Sequence, residues 1–479
     1  MKNSKNKIIS LTIFLLLMLF SIGGISYILS DRETTFSAVY SEPKNSVDVL
    51  IVGSSHVNSG YIPSLLWGSN GLSAVNAFSW SQPMWVSYHY IAEALKSQSP
   101  EYIVLEMYGM VYGHSYIMPE EIDKTSYNNS FNIDPGFNRW QLMKTSEKCG
   151  IDLRNAEDFL YISRYHTRWK NFNLSYLTYN SHKQHDYLKG YGYLTNAAGL
   201  GKPNVETNDE LLQPYEYCVE YLDKIVDLCN KKGIKLIFTM TPYIYAREET
   251  GVINWVDNYA REHNIPFFNY LYGDDCDRID FDYNTDLSDM GHCNYYGAVK
   301  ITDDLCNYFK SLGYTGENKW EHSYRDMLQT DYEKFERVPA ITELMEESDL
   351  SQWIKNCDGD NNITLYINVT DNNTKNEISS CVDDISFLTD NFAVISKYDY
   401  EFEDNAVIAN LFDKEGSVTF DDTSSEIYLN GTAVPGGENH KIKIVLYDNV
   451  LERPVHTLWF DGDKLNSKEF TSDIINNYK

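Results

Sequence analysis

Between Val47 and Leu312, short apolar runs alternate with stretches of helical periodicity, and this alternation restricts the fold more than any other feature of the chain. Val47–Val52 is apolar apart from Asp48. Ala74–Phe78, Tyr102–Met107, Ile234–Thr239 and Pro266–Leu271 repeat the pattern. Runs of this length read as strands buried on both faces. Between them, Met84–Lys96 and Val252–Glu262 are helical, and Tyr215–Cys229 sets Cys218, Val219, Leu222, Ile225, Val226 and Cys229 on one helix face. Lys231, Lys232 and Gly233 end that helix with basic residues and a C-cap glycine. Tyr295–Leu312 is helical and closes at Gly313. Strands alternating with helices predict a three-layer, flavodoxin-like α/β domain with a parallel sheet, placed at residues 45–335. In such sheets ligands bind outside the carboxyl ends of the strands.

Two short motifs fall at that rim. Gly53-Ser54-Ser55-His56 follows the first apolar run, and Asp289-Met290-Gly291-His292 precedes the last helix. A serine hydroxyl is a poor nucleophile and needs an adjacent base. Ser55 is the candidate nucleophile, His292 the base, and Asp289 the group that fixes the imidazole tautomer. Asp286 and Asp282 compete with Asp289, because residues 274–289 are rich in acids. His56 beside the nucleophile and Glu106 at the end of the third strand are candidates to line the cleft. A helix after the Gly53 turn would aim backbone N–H groups at a developing oxyanion.

The ends of the chain differ in texture. Ile8 to Ile28 carries no charge and is long enough to span a bilayer core as a helix. Lys2, Lys5 and Lys7 precede it and favour a cytoplasmic N-terminus. A cleaved signal peptide is the rival reading. The apolar stretch is long for one, and Ile25-Ser26-Tyr27 offers no clear cleavage site, so residues 1–29 read as a transmembrane anchor. Residues 30–44 then form a linker, and the rest lies outside the cytoplasm. The net charge of −29 argues against nucleic acid and anionic lipid as ligands. Residues 109–210 form an aromatic-rich insertion expected to hold short helices. From 345 to 479 the pattern turns to alternating strands, with turn signals at Asn430-Gly431 and Gly436-Gly437, which predicts a mostly-β accessory domain. Asp358, Asp360 and Asn362 resemble a calcium loop, but Ile363 stands where an EF-hand needs glycine, so a polar turn is the reading and no metal or other cofactor is expected. The eight cysteines lack scaffold or zinc spacing; Cys218 and Cys229 read as buried thiols, with a Cys357–Cys381 disulfide left open.

The two rim motifs resemble those of the SGNH/GDSL hydrolase superfamily. Gly53-Ser54-Ser55 stands where that family has Gly-Asp-Ser, and Asp289-Met-Gly-His292 is similar to its final Asp-x-x-His block. The fuller string from Val52 to Pro63 is similar to membrane-anchored branches that act in teichoic acid D-alanylation and alginate O-acetylation. The resemblance covers roughly 45–315 and implies a Ser55–His292–Asp289 triad. It implies an acylated glycan or cell-envelope polymer as substrate and a membrane acyltransferase as partner. The family's oxyanion Gly and Asn are not in their places. The second strand continues into Ser79-Trp80-Ser81-Gln82, which leaves the Ser55 N–H, a backbone amide near Ser79 or a side chain such as Gln82 as the stand-in donors. The absent donors, the aromatic insertion and the β-rich appendage also fit a second reading, a catalytically weak glycan-binding or assembly protein.

Overall fold

The computed structural model describes residues 2–29, 34–111, 129–149, 166–172, 177, 185–207, 209–316, 320, 322–347, 349–370, 375–376, 378–379, 388–403, 405–412, 414–421, 423–434 and 441–460. The chain divides into two compact units, Met1–Gln329 and Thr330–Lys479.

In chain order the first unit holds α1 (Lys2–Leu29), α2 (Ser37–Ser41), β1 (Val49–Gly53), α3 (Ser55–Gly60), α4 (Pro63–Asn70), β2 (Ala74–Phe78), α5 (Met84–Ala94) and β3 (Tyr102–Glu106). Within the insertion it has α6 (Phe137–Lys148). It continues with α7 (Glu216–Lys232), β4 (Lys235–Met240), α8 (Arg247–His263), β5 (Phe267–Asn269), α9 (Asp274–Arg278) and α10 (Tyr295–Ser311). The five strands pair in the order β2-β1-β3-β4-β5, and all four pairings are parallel. This is the flavodoxin-like order, with the reversal between β1 and β3. Each residue of β1, β2 and β3 is buried, as continuous apolar runs require when helices cover both faces.

Within each helical layer the helices are tied to one another. On one side Asn70 at the end of α4 donates to Cys306 O of α10 at 3.0 Å, and Ile62 N–H donates to Thr302 Oγ1 at 3.1 Å. On the other, Tyr88 of α5 meets Tyr221 of α7 edge-on at 5.6 Å. Helix α7 ends as its sequence dictates: Gly233 takes φ 71°, a left-handed C-cap that costs a glycine little. Strand β5 is shorter than the apolar run suggests, because the chain leaves the sheet at Tyr270 for the turn before α9.

The free edge of β2 is covered rather than open. Asn76 N–H donates to Lys189 O at 3.0 Å, and the Lys189 ammonium lies 2.6 Å from Glu42 with both side chains sealed from solvent. Tyr324 donates to the second oxygen of Glu42 at 2.9 Å. A covered edge removes a template for strand addition. Part of the insertion predicted at 109–210, residues 112–128, 150–165, 173–176 and 178–184, lies outside the described residues. The described part is helical at α6 and in a 3-10 turn at His166–Asn171.

Helix α1 contains a 20-residue stretch, Lys7–Ser26, of mean hydropathy 2.5, long and apolar enough to be a membrane anchor or a signal sequence. Cys149, Cys218, Cys229, Cys276, Cys293 and Cys306 are buried free thiols, whereas Cys381 of the Cys357–Cys381 pair lies outside the described residues.

The second unit follows α11 (His322–Glu346), which carries the chain into it, and α12 (Leu350–Gly359). It is built from two antiparallel sheets. One has the order β14-β13-β6-β7, with β6 (Ile363–Val369), β7 (Phe392–Ser396), β13 (Ile442–Asp448) and β14 (Arg453–Phe460). The other runs through β8 (Glu401–Glu403), β9 (Ala406–Leu411), β10 (Lys414–Phe420), β11 (Ile427–Leu429) and β12 (Thr432–Ala433). Strands β6 and β13 are buried throughout, and their two faces serve two cores. Leu365, Ile367, Ile444 and Leu446 pack with Trp353 and Ile354 of α12, while Tyr366, Val445 and Tyr447 pack with Val407 and Val418 of the other sheet. The Asn430-Gly431 turn joins β11 to β12 with φ 49° and 77°, as a tight hairpin needs. Asp360 takes Arg337 at 2.8 Å and Asp358 takes Lys397 at 2.9 Å, so both carboxylates of the calcium-like string are held by cations of the chain.

Breaking a buried ion pair from one side leaves an uncompensated charge, which typically costs about 3–5 kcal/mol. Lys189→Met is therefore expected to destabilise the first unit by about that amount in urea denaturation, and Lys189→Met with Glu42→Gln to recover a large part of it.

Candidate active site

Ser55 is the first residue of α3, directly after β1 and the Ser54 cap, whose hydroxyl accepts from His56 N–H at 3.3 Å. Gly53 is required here for space rather than for its backbone angle, since it is not at positive φ. A Cβ on Gly53 would stand 2.7 Å from both Glu106 Cβ and Val57 Cγ2. The strand end thus lies tight against the neighbouring strand and puts Ser55 at the carboxyl rim of the sheet.

The partner loop comes from the other end of the domain. Leu287 and Cys293 form an isolated antiparallel bridge, Ser288 N–H donates to His292 O at 2.8 Å, and Asn294 N–H donates to Asp286 O at 3.0 Å. This makes a small hairpin with Asp289, Met290 and Gly291 at its tip. Asp289 Oδ1 accepts from Gly291 N–H at 2.7 Å and from His292 N–H at 2.9 Å, an Asx turn of the kind a short Asp-x-Gly string favours. The same carboxylate lies 2.9 Å from His292 Nδ1 through each oxygen. His292 Nε2 is 2.8 Å from Ser55 Oγ. The structure therefore brings Ser55, His292 and Asp289 into one hydrogen-bonded line.

The acidic neighbours are engaged elsewhere. Asp286 is buried against Lys300 at 2.7 Å, and Asp282 accepts from Asn284. Burial works to raise the Asp289 pKa, but the bonds from Gly291 and His292 outweigh it and hold the carboxyl below its ordinary range.

Behind the serine lies a buried polar chain. His56 Nδ1 is 2.8 Å from Thr241 Oγ1, Thr241 donates to Glu106 Oε1 at 3.4 Å, and Tyr108 N–H donates to the same oxygen at 3.1 Å. Glu106 is fully buried and its Oε2 has no hydrogen-bond partner among the described residues. Desolvation pushes its pKa up to about 8 against the bonds from Tyr108 and Thr241, so the carboxyl is largely protonated at neutral pH. Desolvation, with the nearby His292 adding to it, pushes His56 down to about 3 and keeps it neutral. The 3.9 Å approach of His56 to Glu106 is thus a contact of two neutral groups. The His56 ring stacks on Tyr108 at 4.0 Å and meets Tyr243 edge-on at 5.5 Å.

Among the stand-in oxyanion donors, the Gln82 side chain is engaged elsewhere. Ser79 and Gln82 are fully buried; Ser79 donates to Gln82 Oε1 at 2.8 Å and Gln82 donates to Ser87 at 3.0 Å. Their side chains serve a buried chain leading to α5. Glu106 is likewise part of the floor rather than an open wall.

Thr241 and Asn196 escaped the sequence reading. Thr241 directly follows β4, and its place at a strand's carboxyl end was the available signal. Asn196 lies at the end of the insertion. It donates to Ser288 O at 2.6 Å, accepts from Ser288 Oγ at 2.7 Å, and its carbonyl accepts from Asn294 at 3.2 Å. Ala198 N–H adds a bond to Leu287 O at 2.8 Å. The insertion's end therefore clamps the hairpin that carries Asp289 and His292. Among the described residues no group of His, Cys, Asp and Glu is arranged to hold a metal ion.

No family model and no curated protein matches the chain. Among solved structures the chain is similar to a candidate acylhydrolase from Bacteroides fragilis, at 12% identity and TM-score 0.29, over 59% of this chain and 95% of that one. It is also similar to a GDSL-like lipase from Bacteroides thetaiotaomicron, at 11% identity and TM-score 0.28, over 55% and 88% of the two chains. A third is a candidate lipolytic protein of the G-D-S-L family from Desulfitobacterium hafniense, at 11% identity and TM-score 0.27, over 55% and 98%.

The buried Glu106 gives a pH signature. Its pKa is about 8 when folded, and a carboxyl in an unfolded chain titrates near 4.3. Between those values the unfolded state has lost the proton that the folded state keeps, so stability falls as pH rises. Glu106→Gln removes this loss. The Tm of Glu106→Gln relative to wild type is expected to rise by several degrees between pH 5 and pH 8; a constant difference across that range would show Glu106 to be ionised in the fold.

Proposed function

We propose that this chain is an extracytoplasmic serine esterase or O-acyltransferase of the SGNH type, acting on acyl groups of a cell-surface polysaccharide. The observation that carries the reading is the continuous line from Asp289 through His292 to Ser55, with 2.9 and 2.8 Å links. Ser55 Oγ attacks the acyl carbonyl as its proton passes to His292 Nε2. Asp289 holds Nδ1–H and steadies the imidazolium. The leaving alkoxide takes the proton from His292, and the acyl group stays on Ser55 as an ester. Water or a sugar hydroxyl then resolves that ester through the same base. The apolar N-terminal helix supports an anchored enzyme outside the cytoplasm, and the motif string supports a glycan substrate and a membrane acyltransferase as its donor partner.

A second reading is a glycan-binding protein with little chemistry. The commitment of the Gln82 side chain to Ser79 and Ser87 favours it, because loss of one oxyanion donor typically costs about 10²–10³ in rate. The purified chain, assayed on p-nitrophenyl acetate and acetylated glycan, decides between them. Ser55→Ala is expected to lower kcat by about 10³-fold or more. Asp289→Asn is expected to lose activity through kcat rather than KM. Glycan binding with no turnover in either wild type or Ser55→Ala would sink the enzyme reading.

A further inference from the structure

The buried chain behind Ser55 has one end unused. Thr241 owns a single hydroxyl hydrogen, and that hydrogen is directed at Glu106 Oε1. Because Oε1 also receives Tyr108 N–H, it is the accepting oxygen of the carboxyl. Thr241 Oγ1 must then accept from His56, which puts the imidazole hydrogen on Nδ1 and leaves a bare lone pair on Nε2. Nε2 makes no hydrogen bond among the described residues. It lies 3.9 Å from where a Cβ on Gly291 would stand, beside the hairpin tip, and the His56 ring centroid is 5.8 Å from that of His292. The ring cannot swing away, since it is stacked on Tyr108 and tied to Thr241. A residue that is 3% exposed, adjacent in sequence to the nucleophile and holding an unpaired acceptor next to the base, is built to meet something that arrives with the reaction.

We propose that His56 is a specificity residue for the acyl acceptor: its Nε2 accepts a hydrogen bond from a second hydroxyl adjacent to the one that attacks, so the site selects vicinal diols such as those of a sugar ring. The proposal rests on the acyl-enzyme reading above. In the step concerned, the attacking hydroxyl oxygen bonds to the acyl carbon and gives its proton to His292 Nε2. The bond from that carbon to Ser55 Oγ then breaks, and His292 returns the proton to Ser55. The neighbouring hydroxyl keeps its own proton and only donates a hydrogen bond to His56. A fixed neutral acceptor suits this task, because it neither competes with His292 for the proton in flight nor places a positive charge beside it. A polar site built for a hydroxyl discriminates against an analogue lacking it, since the acceptor would then lose that partner.

The test uses the full chain acylated from p-nitrophenyl acetate, with ethylene glycol and 2-methoxyethanol as competing acceptors that differ in one hydroxyl hydrogen. The ratio of the two acetate esters formed is read by chromatography. It is internal to each sample and independent of how fast the enzyme is acylated. Wild type is expected to favour the diol by about tenfold, which corresponds to about 1.4 kcal/mol. His56→Phe, which keeps a flat ring against Tyr108, is expected to bring the ratio close to two, the statistical value set by the diol's two equivalent hydroxyls. Thr241→Val, which frees the ring to change tautomer, is expected to fall between. An ester ratio of two or less in wild type, or a preference above that value that survives His56→Phe, would overturn the proposal while leaving the triad standing. No release of p-nitrophenol by wild type would instead overturn the acyl-enzyme reading, and this proposal with it. Should His56→Phe fail to fold, the wild-type ratio and Thr241→Val decide alone: no diol preference above that statistical value, or one that Thr241→Val leaves whole, overturns the proposal.

Discussion

The Asp289 carboxylate is the interaction on which the site depends, because it both folds the turn and orients the imidazole. Its Oδ1 accepts the backbone N–H groups of Gly291 and His292, and both its oxygens face His292 Nδ1. A side chain that shapes the loop and orients the base in one act needs no second group to align them. The arrangement also explains the spacing. Two residues separate Asp289 from His292, so the carboxylate that accepts the Gly291 N–H in the Asx turn also reaches the N–H and the ring of His292. The hairpin is exposed, with the Asp289 side chain 58% accessible, so its rigidity has to come from hydrogen bonds rather than packing. The bridge between Leu287 and Cys293 and the clamp from Asn196 provide them.

The nucleophile side is held by the opposite strategy. Ser55 rests on a floor of buried polar groups, Glu106, Thr241 and His56, sealed by Tyr108 and Tyr243. Burying a carboxyl costs free energy unless it is neutral and bonded. Here the cost is lowered by leaving Glu106 protonated and by giving its accepting oxygen two donors. What the fold gains is fixed direction. The bond to Thr241 and the stack on Tyr108 fix the His56 ring.

Much of this was legible in the residues, for identifiable reasons. The continuous apolar runs at Leu50–Val52 and Ile103–Leu105 fix strands buried on both faces, and the amphipathic stripe of α7 together with Gly233 fixes a helix and its end. Ser55, Asp289 and His292 were readable because a strand end and an Asx turn are local events. The role of the Gln82 side chain was not, because its partner Ser87 belongs to α5 and nothing in the second strand's sequence marks that bond. Thr241 and Asn196 act through contacts 185 and 92 residues away along the chain, and no local pattern marks such a contact. Gly53 was legible as a needed glycine but for a different reason: the approach of Glu106 and Val57, rather than a turn angle, forbids a side chain there.

The asymmetry between an open base and a closed floor bears on the choice between hydrolysis and transfer. His292 is 30% accessible and Asp289 more so, which leaves water free to reach the base. A site of this shape cannot favour a sugar hydroxyl by shutting water out. Any preference for transfer has to come from holding the acceptor better than water is held, and a positive contact of that kind must sit on the rigid side of the cleft. His56 is the group on that side with an unused acceptor, fixed by Thr241 and neutral throughout the physiological range. Water supplies two hydrogens from one oxygen and cannot span two acceptors whose rings are centred 5.8 Å apart as well as a pair of neighbouring hydroxyls can. On the proposed acyl-transfer reading, the same buried chain that supports the serine would be the part of the site able to tell one acceptor from another.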